Sequence, residues 1–564
     1  MRIVSLSLAL LLLTGCATPS REMLARVDEH GRQALHDYVD ARVHEEMRAD
    51  GADAVSVVVV SGDDEWFASY GRKTTPDSRF RVGSISKLMT SLTALSLRDD
   101  GLLDLDAPIS DALPGFAIKK RFASGPITAR ALMTHHAGVP SNILRGMYGD
   151  GSVGYADHAQ ALADQFMVRP VGALFSYSDV GFTVLGTALE QAGQKPFADL
   201  VAARTLTPLG MTHSSFVRSK DTVPAFVDGA VFDENPPITT PANGLVTTPR
   251  DLATLAKALL VPPQKMRARI LEAMTPQMAV PLDLDWRTGF GLNDNRAWAP
   301  ELGPVYWHSG ATLAFTAELV VCPRAHVAVI VLTNTREAGM LPSLVAWDVL
   351  DAAIREHDGV VVRHQPALRA PSFSADELDS FAGTYPTEYG TITLARDGGE
   401  LRGRAFDEVL ELVPTQRRTF LPIVLGLGVI PVVPDLLRGI ELSFADVVVD
   451  GKPARALVSH QRGLSLLRGV RVLPVSLSPA WRERVGHWSN PQRVTDQITV
   501  DGVDISEDNG FLMARVHISH TPKPLAVPLT PLDDDTALTA GVGRYLGETV
   551  RVRDGKLELL GYTL

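Results

Sequence analysis

Two hairpin patterns lie far apart in the sequence and enclose a mostly helical stretch. Each pattern has two apolar runs on either side of a turn, at 54–60 and 66–70 and again at 314–321 and 326–333. Helical patterns precede and separate them, at 22–47, 86–98, 127–134, 180–191 and 251–260. Strands at both ends of a helical middle imply an antiparallel sheet joined by the two ends, with helices beside it. The sequence therefore predicts an α+β domain with a cleft between its layers.

The chain is too long for one hydrophobic core. Its 564 residues exceed the roughly 250 to 300 residues at which single cores stop growing. After residue 354 the pattern changes to short alternating strands, and a linker-like stretch lies at 365–371. We therefore expect an α+β domain at 16–365, a first, lipocalin-like β-barrel at 366–475 and a second barrel-like all-β domain at 476–564.

The C-terminal part contains one pattern twice. Gly383-Thr384-Tyr385 opens the first copy and Gly486-His487-Trp488 the second, and each copy closes with a strand and an Asp-Gly turn, Asp450-Gly451 or Asp554-Gly555. Copies of this size suit small closed barrels, which leave no strand edge unpaired.

One segment of the first copy, 420–437, is apolar and holds Pro422, Pro431 and Pro434. The prolines exclude a simple membrane-spanning helix. The segment is either a loop that contacts a membrane or covers the cleft, or a strand pair packed inside a barrel. We favour the strand pair.

The first residues have the pattern of an export signal. Arg2 supplies a positive start, and the apolar run at 6–13 is too short to span a bilayer. The run ends in Leu13-Thr14-Gly15-Cys16, which resembles the lipobox of bacterial lipoproteins. The resemblance implies a signal peptide at 1–15, acylation of Cys16 and, with Ala17 following, a lipid anchor at the periplasmic face of the outer membrane. The alternative is an ordinary signal peptide that happens to contain a cysteine.

Composition excludes several classes of partner. The net charge of -11 argues against nucleic acid, because phosphate binding needs a clustered excess of Lys and Arg. Asp, Glu and His are not grouped as metal ligands, and no nucleotide-binding glycine loop is present, so we expect no metal and no cofactor.

The two cysteines leave no internal disulfide. With Cys16 acylated, Cys322 would be the single remaining thiol.

Ser84 and Lys87 lie at the start of the helical pattern at 86–98. A spacing of three puts both side chains on one helix face. The Ser84 N–H at a helix N-terminus can point at a developing oxyanion. Lys87 can assist deprotonation of the serine hydroxyl, provided that its surroundings favour the neutral amine. Taken alone, the motif is also compatible with an exposed helix start.

Tyr177 is the candidate general base, in the run Phe175-Ser176-Tyr177-Ser178-Asp179. A phenol near cations loses its proton more readily and can relay protons between Ser84 and a leaving group. The alternative is a buried tyrosine at a helix start, with Asp179 as the N-cap.

The run His308-Ser309-Gly310-Ala311 precedes the strand pattern at 314–321. A glycine there would let a substrate lie close to the strand edge. Ala311 N–H would be the second oxyanion donor, while His308 and Ser309 could hydrogen-bond the substrate or the Tyr177 oxygen. The alternative is an ordinary strand start.

Together these motifs resemble the class C β-lactamase and penicillin-binding protein superfamily, which includes family VIII esterases and D-aminopeptidases. The resemblance covers roughly 53–334. Further matching stretches are Phe80-Arg81-Val82-Gly83-Ser84, 132–140, 208–212 and 243–248. It implies a β-lactamase/transpeptidase-like fold and a serine hydrolase in which Ser84 is acylated while Lys87 and Tyr177 share the proton transfers.

Two positions depart from the pattern of true β-lactamases. Asp179 stands where Asn is usual, and a carboxylate there would keep Lys87 charged. His308 stands where β-lactamases carry a Lys that helps to hold the substrate carboxylate, and His-x-Gly looks more like the esterases and D-aminopeptidases. We therefore expect an exported hydrolase of small esters, or of amides and peptides that carry a D-residue. The alternative is a binding or scaffolding lipoprotein that keeps the fold without turnover.

Overall fold

The computed structural model describes residues 23–362 apart from 25, and residues 373–564 apart from 406–407, 427–429, 435–436, 492–494 and 522. Cys16, the expected signal peptide and the boundary at 365–366 lie outside the described residues. Within the described part, no helix is both long enough and apolar enough to cross a bilayer.

The helices confirm the predicted segments and add shorter ones between them. In chain order they are α1 Val27–Asp50, α2 Ser86–Asp99, α3 Ile109–Ala112, α4 Ala129–Met133, α5 Tyr155–Ala161, α6 Asp179–Gly193, α7 Phe197–Val201, α8 Thr207–Leu209, α9 Thr240–Asn243, α10 Pro249–Leu260, α11 Arg267–Met274, α12 Leu341–Asp358, α13 Ala375–Phe381 and α14 Pro479–Glu483. Helix α10 shows why a few neighbouring residues are enough to predict where such a helix begins. The Thr248 hydroxyl accepts from Asp251 N–H, and Pro249 occupies the first helical position.

The strands of the first domain form one large antiparallel sheet and two short pairs. They are β1 Ala54–Ser61, β2 Asp64–Gly71, β3 Phe80–Arg81, β4 Ala225–Val227, β5 Ala230–Phe232, β6 Val246–Thr247, β7 Arg287–Thr288, β8 Asn293–Asn295, β9 Val305–Ala311, β10 Thr316–Cys322 and β11 Val327–Thr333. The large sheet has the order β2-β1-β11-β10-β9-β8-β7, with β3 paired to β6 and β4 to β5. Both predicted hairpins are confirmed, and β1 pairs with β11 so that Val57 faces Val331. The two ends of the domain therefore meet in one sheet.

The run His308–Ala311 precedes β10, as predicted, and it also forms the end of a further strand, β9, which the sequence analysis did not predict. The flanking helices cover both faces of the sheet. Val58 and Val60 belong to the core shared with α2 and α6, while Val57 and Val59 belong to the core shared with α1 and α12. Burial on both faces explains why β1 is an almost continuous apolar run.

Two antiparallel all-β sheets follow. The first contains β12 Gly383–Thr387, β13 Gly390–Asp397, β14 Glu400–Ala405, β15 Glu408–Pro414, β16 Phe420–Gly426, β17 Ile430–Val432, β18 Glu441–Val449, β19 Lys452–Gln461 and β20 Leu464–Val470. The second contains β21 Gly486–Ser489, β22 Val500–Asp508, β23 Phe511–Ile518, β24 Leu525–Pro531, β25 Thr536–Thr539, β26 Thr549–Arg553, β27 Lys556–Leu559 and β28 Tyr562–Thr563. A bridge between Thr384 and Val472 joins the two ends of the first sheet, and the second runs in order from β21 to β28. The predicted fold class, an α+β domain followed by all-β domains, is confirmed.

The two all-β domains have two local features in common, which fit the predicted repeat. Each begins with a short helix capped by a serine, Ser374 or Ser478. Asp450 and Asp554, at the predicted Asp-Gly turns, both adopt positive φ near 50°. In the apolar segment at 420–437, β16 pairs with β17 and Phe420 is buried in the core of the first all-β domain, as the strand-pair interpretation expects.

The second all-β domain is closely joined to the first domain of the chain. Leu144, Met147 and Tyr148 are buried in a core with Trp481 and other residues of the second all-β domain. Because these apolar side chains leave water only when the domains are together, the domains stabilise each other.

Candidate active site

Ser84 lies in a tight turn that leads into α2. The turn, Gly83–Ile85, is a 3-10 helix, so the Ser84 N–H is among the first amides of the helical segment, which lack a helical acceptor. The backbone of β9 packs directly against it. A Cβ on Gly310 would lie 1.8 Å from Val82 O, and one on Gly83 would lie 2.4 Å from Ala311 N. Glycine at both positions is what lets the Ser84 and Ala311 amides come close together, as the oxyanion interpretation requires.

Lys87 is fully buried beside the serine. Its Nζ donates to Ser84 Oγ over 2.8 Å, to Asp179 Oδ1 over 2.6 Å and to Ala242 O over 3.2 Å. The structure thus brings Ser84 and Lys87 together as the spacing predicts. Nζ thus donates to three acceptors at once, and one of them is the serine hydroxyl.

Asp179 is the first residue of α6, and its carboxylate points into the site. The N-cap is Ser178, whose hydroxyl accepts from Gly181 N–H, so the assignment of Asp179 as the cap is wrong. Burial raises the pKa of Asp179, but Lys87 and Arg544 outweigh burial and leave the pKa below its usual range. The carboxylate is therefore ionised at neutral pH.

Tyr177 lies over the lysine. Lys87 Nζ is 4.8 Å from the centroid of the Tyr177 ring. The centroid of the His135 ring lies 4.2 Å from the same Tyr177 centroid. Burial, together with Lys87, holds the pKa of His135 well below its usual value, and Nδ1 accepts from Ser178 N–H. A neutral, hydrogen-bonded histidine thus fixes the position of the phenol.

His308 and Ser309 make contacts other than those expected. His308 Nδ1 donates to the carbonyl oxygen of Ser309 over 2.6 Å, and Ser309 Oγ donates to Glu318 Oε2 over 2.6 Å. Neither side chain is bonded to the Tyr177 oxygen, although the rings of Tyr177 and His308 lie 6.3 Å apart. Burial, and then the charge of Lys87, lower the pKa of His308 to about 4, so this position carries no positive charge at pH 7.

Asn243 is a site residue that the sequence analysis did not single out. Ser84 Oγ donates to Asn243 Oδ1 over 3.0 Å, and Asn243 Nδ2 donates to Thr239 Oγ1 over 3.1 Å. Asn243 is the first residue of 243–248, one of the stretches that carry the resemblance described in the sequence analysis. That resemblance is the signal that could have identified it. Arg544 and Asn142, which also lie beside Asp179, had no comparable local signal.

The serine opens into a cavity of about 600 Å³. Its walls come from all three domains. Ser84, Tyr177 and His308 belong to the first domain, Glu388, Tyr389 and Arg468 to the first all-β domain, and Gly543, Arg544 and Tyr545 to the second. Phe175, Trp286 and Trp307 form an aromatic wall, with Trp286 5.1 Å from Phe175 and 5.6 Å from Trp307 between ring centroids. Within the described ranges, no group of three or more His, Cys, Asp or Glu side chains is arranged to hold a metal ion.

Comparisons with known proteins place the first domain in a known family. The beta-lactamase family matches residues 39–353. The chain is 28% identical over 370 residues to penicillin-binding protein 4 of Amycolatopsis lactamdurans, covering 60% of this chain and 93% of that protein. It is also 28% identical over 275 residues to beta-lactamase-like protein 4 of Dictyostelium discoideum, covering 43% of this chain and about half (48%) of the relative.

Two solved structures share the fold at low identity. SurE is 23% identical with a TM-score of 0.55, and the match covers 77% of this chain and 99% of SurE. The octameric penicillin-binding protein homologue from Pyrococcus abyssi is 20% identical with a TM-score of 0.51, over 78% of this chain and 98% of the homologue. The family match spans more than half of the sequence and includes Ser84, Lys87, Tyr177 and His308. The chain therefore belongs to the beta-lactamase family of hydrolases.

Proposed function

We propose that this protein is an exported serine hydrolase that acts through a Ser84 acyl-enzyme on small esters, or on amides and peptides that carry a D-residue. The observation that carries the proposal is the contact of a fully buried Lys87 with Ser84 Oγ at 2.8 Å, at the point where β9 closes on the serine turn.

In this reaction Ser84 Oγ attacks the substrate carbonyl carbon, and the carbonyl oxygen takes up negative charge. In this proposal the amides of Ser84 and Ala311 donate hydrogen bonds to that oxygen. The ammonium of Lys87 stabilises the charge that develops on Oγ. The Tyr177 oxygen takes the serine proton as its own phenolic proton passes to the leaving alcohol or amine. Water then attacks the ester of Ser84, which releases the acid and restores the hydroxyl.

The neutral His308 bears on the substrate class. Because its pKa is lowered to about 4, strand β9 offers no fixed cation for a substrate carboxylate. Uncharged esters and amides of D-residues fit such a strand edge better than substrates that depend on a carboxylate contact there.

One observation favours a second candidate, a binding or scaffolding lipoprotein without turnover. The contact of Asp179 with Lys87 at 2.6 Å holds the lysine as a charged donor and removes it as a base. In this candidate the cavity would bind small ligands without forming an acyl-enzyme.

The test compares the chain from Ala17 onward with its Ser84→Ala variant. Both are assayed with a short-chain aryl ester, a D-alanyl anilide and a chromogenic cephalosporin. We expect the parent to turn over the ester or the anilide, and Ser84→Ala to lose about 10⁴-fold or more of this activity with unchanged folding. Ser91→Ala, a buried serine on the same helix away from the cavity, is the matched control. Activity in Ser84→Ala equal to the parent's would refute the nucleophile, and a folded parent inactive on all three compounds would favour the binding protein.

Export and the lipid anchor are part of the proposal and rest on the sequence at 1–16. In a bacterial host, the full-length chain should incorporate a labelled fatty acid, and Cys16→Ser should not. The same labelling in both forms would refute the anchor at this position.

A further inference from the structure

The loop at 540–548, between β25 and β26, reaches from the second all-β domain into the catalytic cavity. It is held there by reciprocal hydrogen bonds with one residue of the first domain. Tyr545 N–H donates to Ser141 Oγ over 2.9 Å, and Ser141 N–H donates to Glu548 Oε1 over 2.9 Å. The loop is therefore a fixed wall of the cavity.

Arg544 points from this loop towards the catalytic residues. Its Nη2 lies 3.6 Å from Asp179 Oδ2, and its Cζ lies 4.9 Å from the centroid of the Tyr177 ring. The Asp179 side chain is only 6% exposed and the Arg544 side chain is 30% exposed, so solvent screens the interaction of the two charges less than it screens a pair on the open surface.

Asp179 thus lies between two cations. Lys87 contacts Oδ1 at 2.6 Å, Arg544 approaches Oδ2, and the Asn142 amide lies 3.2 Å from the same oxygen, with its NH₂ group as the donor. Lys87 and Asp179 alone form a neutral pair. Arg544 adds a positive charge, so the three side chains together carry a net charge of about +1.

That net charge matters for the chemistry at Ser84. Negative charge appears on Oγ and then on the carbonyl oxygen, in a site where a fixed charge acts far more strongly than in water. A neutral Lys87–Asp179 pair would stabilise this charge less than a positively charged group would.

We propose that Arg544 is a positioning residue that offsets the charge of Asp179, so that the second all-β domain completes the electrostatics of the catalytic centre. The inference rests on the hydrolase activity proposed above. It makes the C-terminal domain part of the catalytic unit rather than an appended binding module.

The test is a double-mutant cycle in the whole protein, with Arg544→Met, Asp179→Asn and the double variant. We expect Arg544→Met to lower kcat/KM by about tenfold to a hundredfold, within the range of coupled charged neighbours. The double variant should recover most of that loss, because the amide introduced by Asp179→Asn leaves no charge to offset. Equal losses from Arg544→Met in the parent and in the Asp179→Asn background would overturn the proposal.

Two further variants separate charge from structure. Arg544→Lys keeps the positive charge and should retain most of kcat/KM. Arg468 lines the same cavity but donates to Glu388 Oε1 over 2.9 Å, so any loss caused by Arg468→Met should not be rescued by Asp179→Asn. Rescue of both arginine variants would indicate a general effect of Asp179→Asn and would overturn the specific coupling.

Thermal unfolding provides a readout that does not depend on turnover. If the parent is folded but inactive on every substrate, the proposed function fails, and the coupling is then measured on the same four proteins as shifts in Tm. Arg544→Met should lower the Tm of the parent more than that of Asp179→Asn. Equal shifts would overturn the charge offset as well.

Discussion

Ser309 donates its hydroxyl to the buried Glu318 carboxylate across the β9–β10 ladder, over 2.6 Å. The other carboxylate oxygen accepts from Trp347 Nε1 over 3.1 Å. Burial raises the pKa of Glu318, and the charge of Arg462 and these two donors oppose that effect. The Ser309 hydroxyl, which lines the cavity, therefore points its hydrogen at Glu318. Its lone pairs are left to accept a hydrogen bond from a bound molecule.

This contact predicts different outcomes for two substitutions of Glu318. Glu318→Ala leaves Trp347 Nε1 and Ser309 without their acceptor and should cost about 1–3 kcal/mol of stability. Glu318→Gln can keep its oxygen on Trp347 while its NH₂ group turns Ser309 into an acceptor, which frees the hydroxyl hydrogen towards the cavity. We expect Glu318→Gln to retain the fold and change KM more than kcat. Steady-state kinetics and Tm check both, and an unchanged KM in Glu318→Gln would contradict the orientation.

Gly310→Ala should impair catalysis far more than it impairs folding. The added methyl group would lie 1.8 Å from Val82 O, so β9 must move away from the serine turn and carry Ala311 N–H with it. A misplacement of about 1 Å can cost about a hundredfold in rate, and we expect a loss of kcat/KM of that order.

The matched control is Gly399→Ala, at a turn where nothing lies within 4 Å of the added methyl group. It should leave kcat/KM and Tm almost unchanged. Normal activity in Gly310→Ala would show that the close approach of β9 and the serine turn is not needed for catalysis.

The sequence predicts well what depends on short spacing. Ser84 and Lys87 are three residues apart at a helix start, and both hairpins are formed by neighbouring segments, so local geometry was enough. The sequence predicts less well where two neighbouring residues could both be the N-cap of a helix. Ser178 and Asp179 are both strong N-cap types, and Ser178 takes the cap while the Asp179 carboxylate contacts Lys87.

Local sequence patterns could not predict contacts between distant parts of the chain. Strands β7 and β8 have only two and three residues, too few for an alternating pattern to show. Arg544 reaches Asp179 from the other end of the sequence, and no spacing rule connects them. The domain limits expected at 365–366 and 475–476 remain predictions.

Glu548 predicts a pH-dependent contribution to stability. Burial raises its pKa to about 7, compared with about 4.3 for an exposed glutamate. The folded protein therefore binds the proton more tightly than the unfolded chain, and the stabilisation present below about pH 4 is lost as the pH rises towards 7. The loss is on the order of 3 kcal/mol at pH 8.

Glu548→Gln tests this, because the amide resembles the protonated acid and can still accept from Ser141 N–H. We expect Glu548→Gln to match the Tm of the parent near pH 4.5 and to exceed it at pH 8. Glu483→Gln, exposed on α14, should show the same Tm difference at both pH values. A Glu548→Gln variant no more stable than the parent at pH 8 would contradict the raised pKa.

The aromatic wall predicts a preference for substrates with an aromatic side chain. Trp286 and Trp307 line the cavity, and within the described residues neither indole N–H has a hydrogen-bond partner. We expect Trp286→Ala to lower kcat/KM for a D-phenylalanyl anilide about tenfold more than for a D-alanyl anilide, since aromatic contacts and lost burial together contribute about 1–3 kcal/mol. Trp66→Ala, which removes a ring stacked on His36 away from the cavity, should leave the ratio of the two kcat/KM values unchanged. An unchanged ratio in Trp286→Ala would mean that the substrate side chain lies elsewhere in the cavity. The same pair of anilides would then be tested on Leu467→Ala, which changes the wall formed by the first all-β domain.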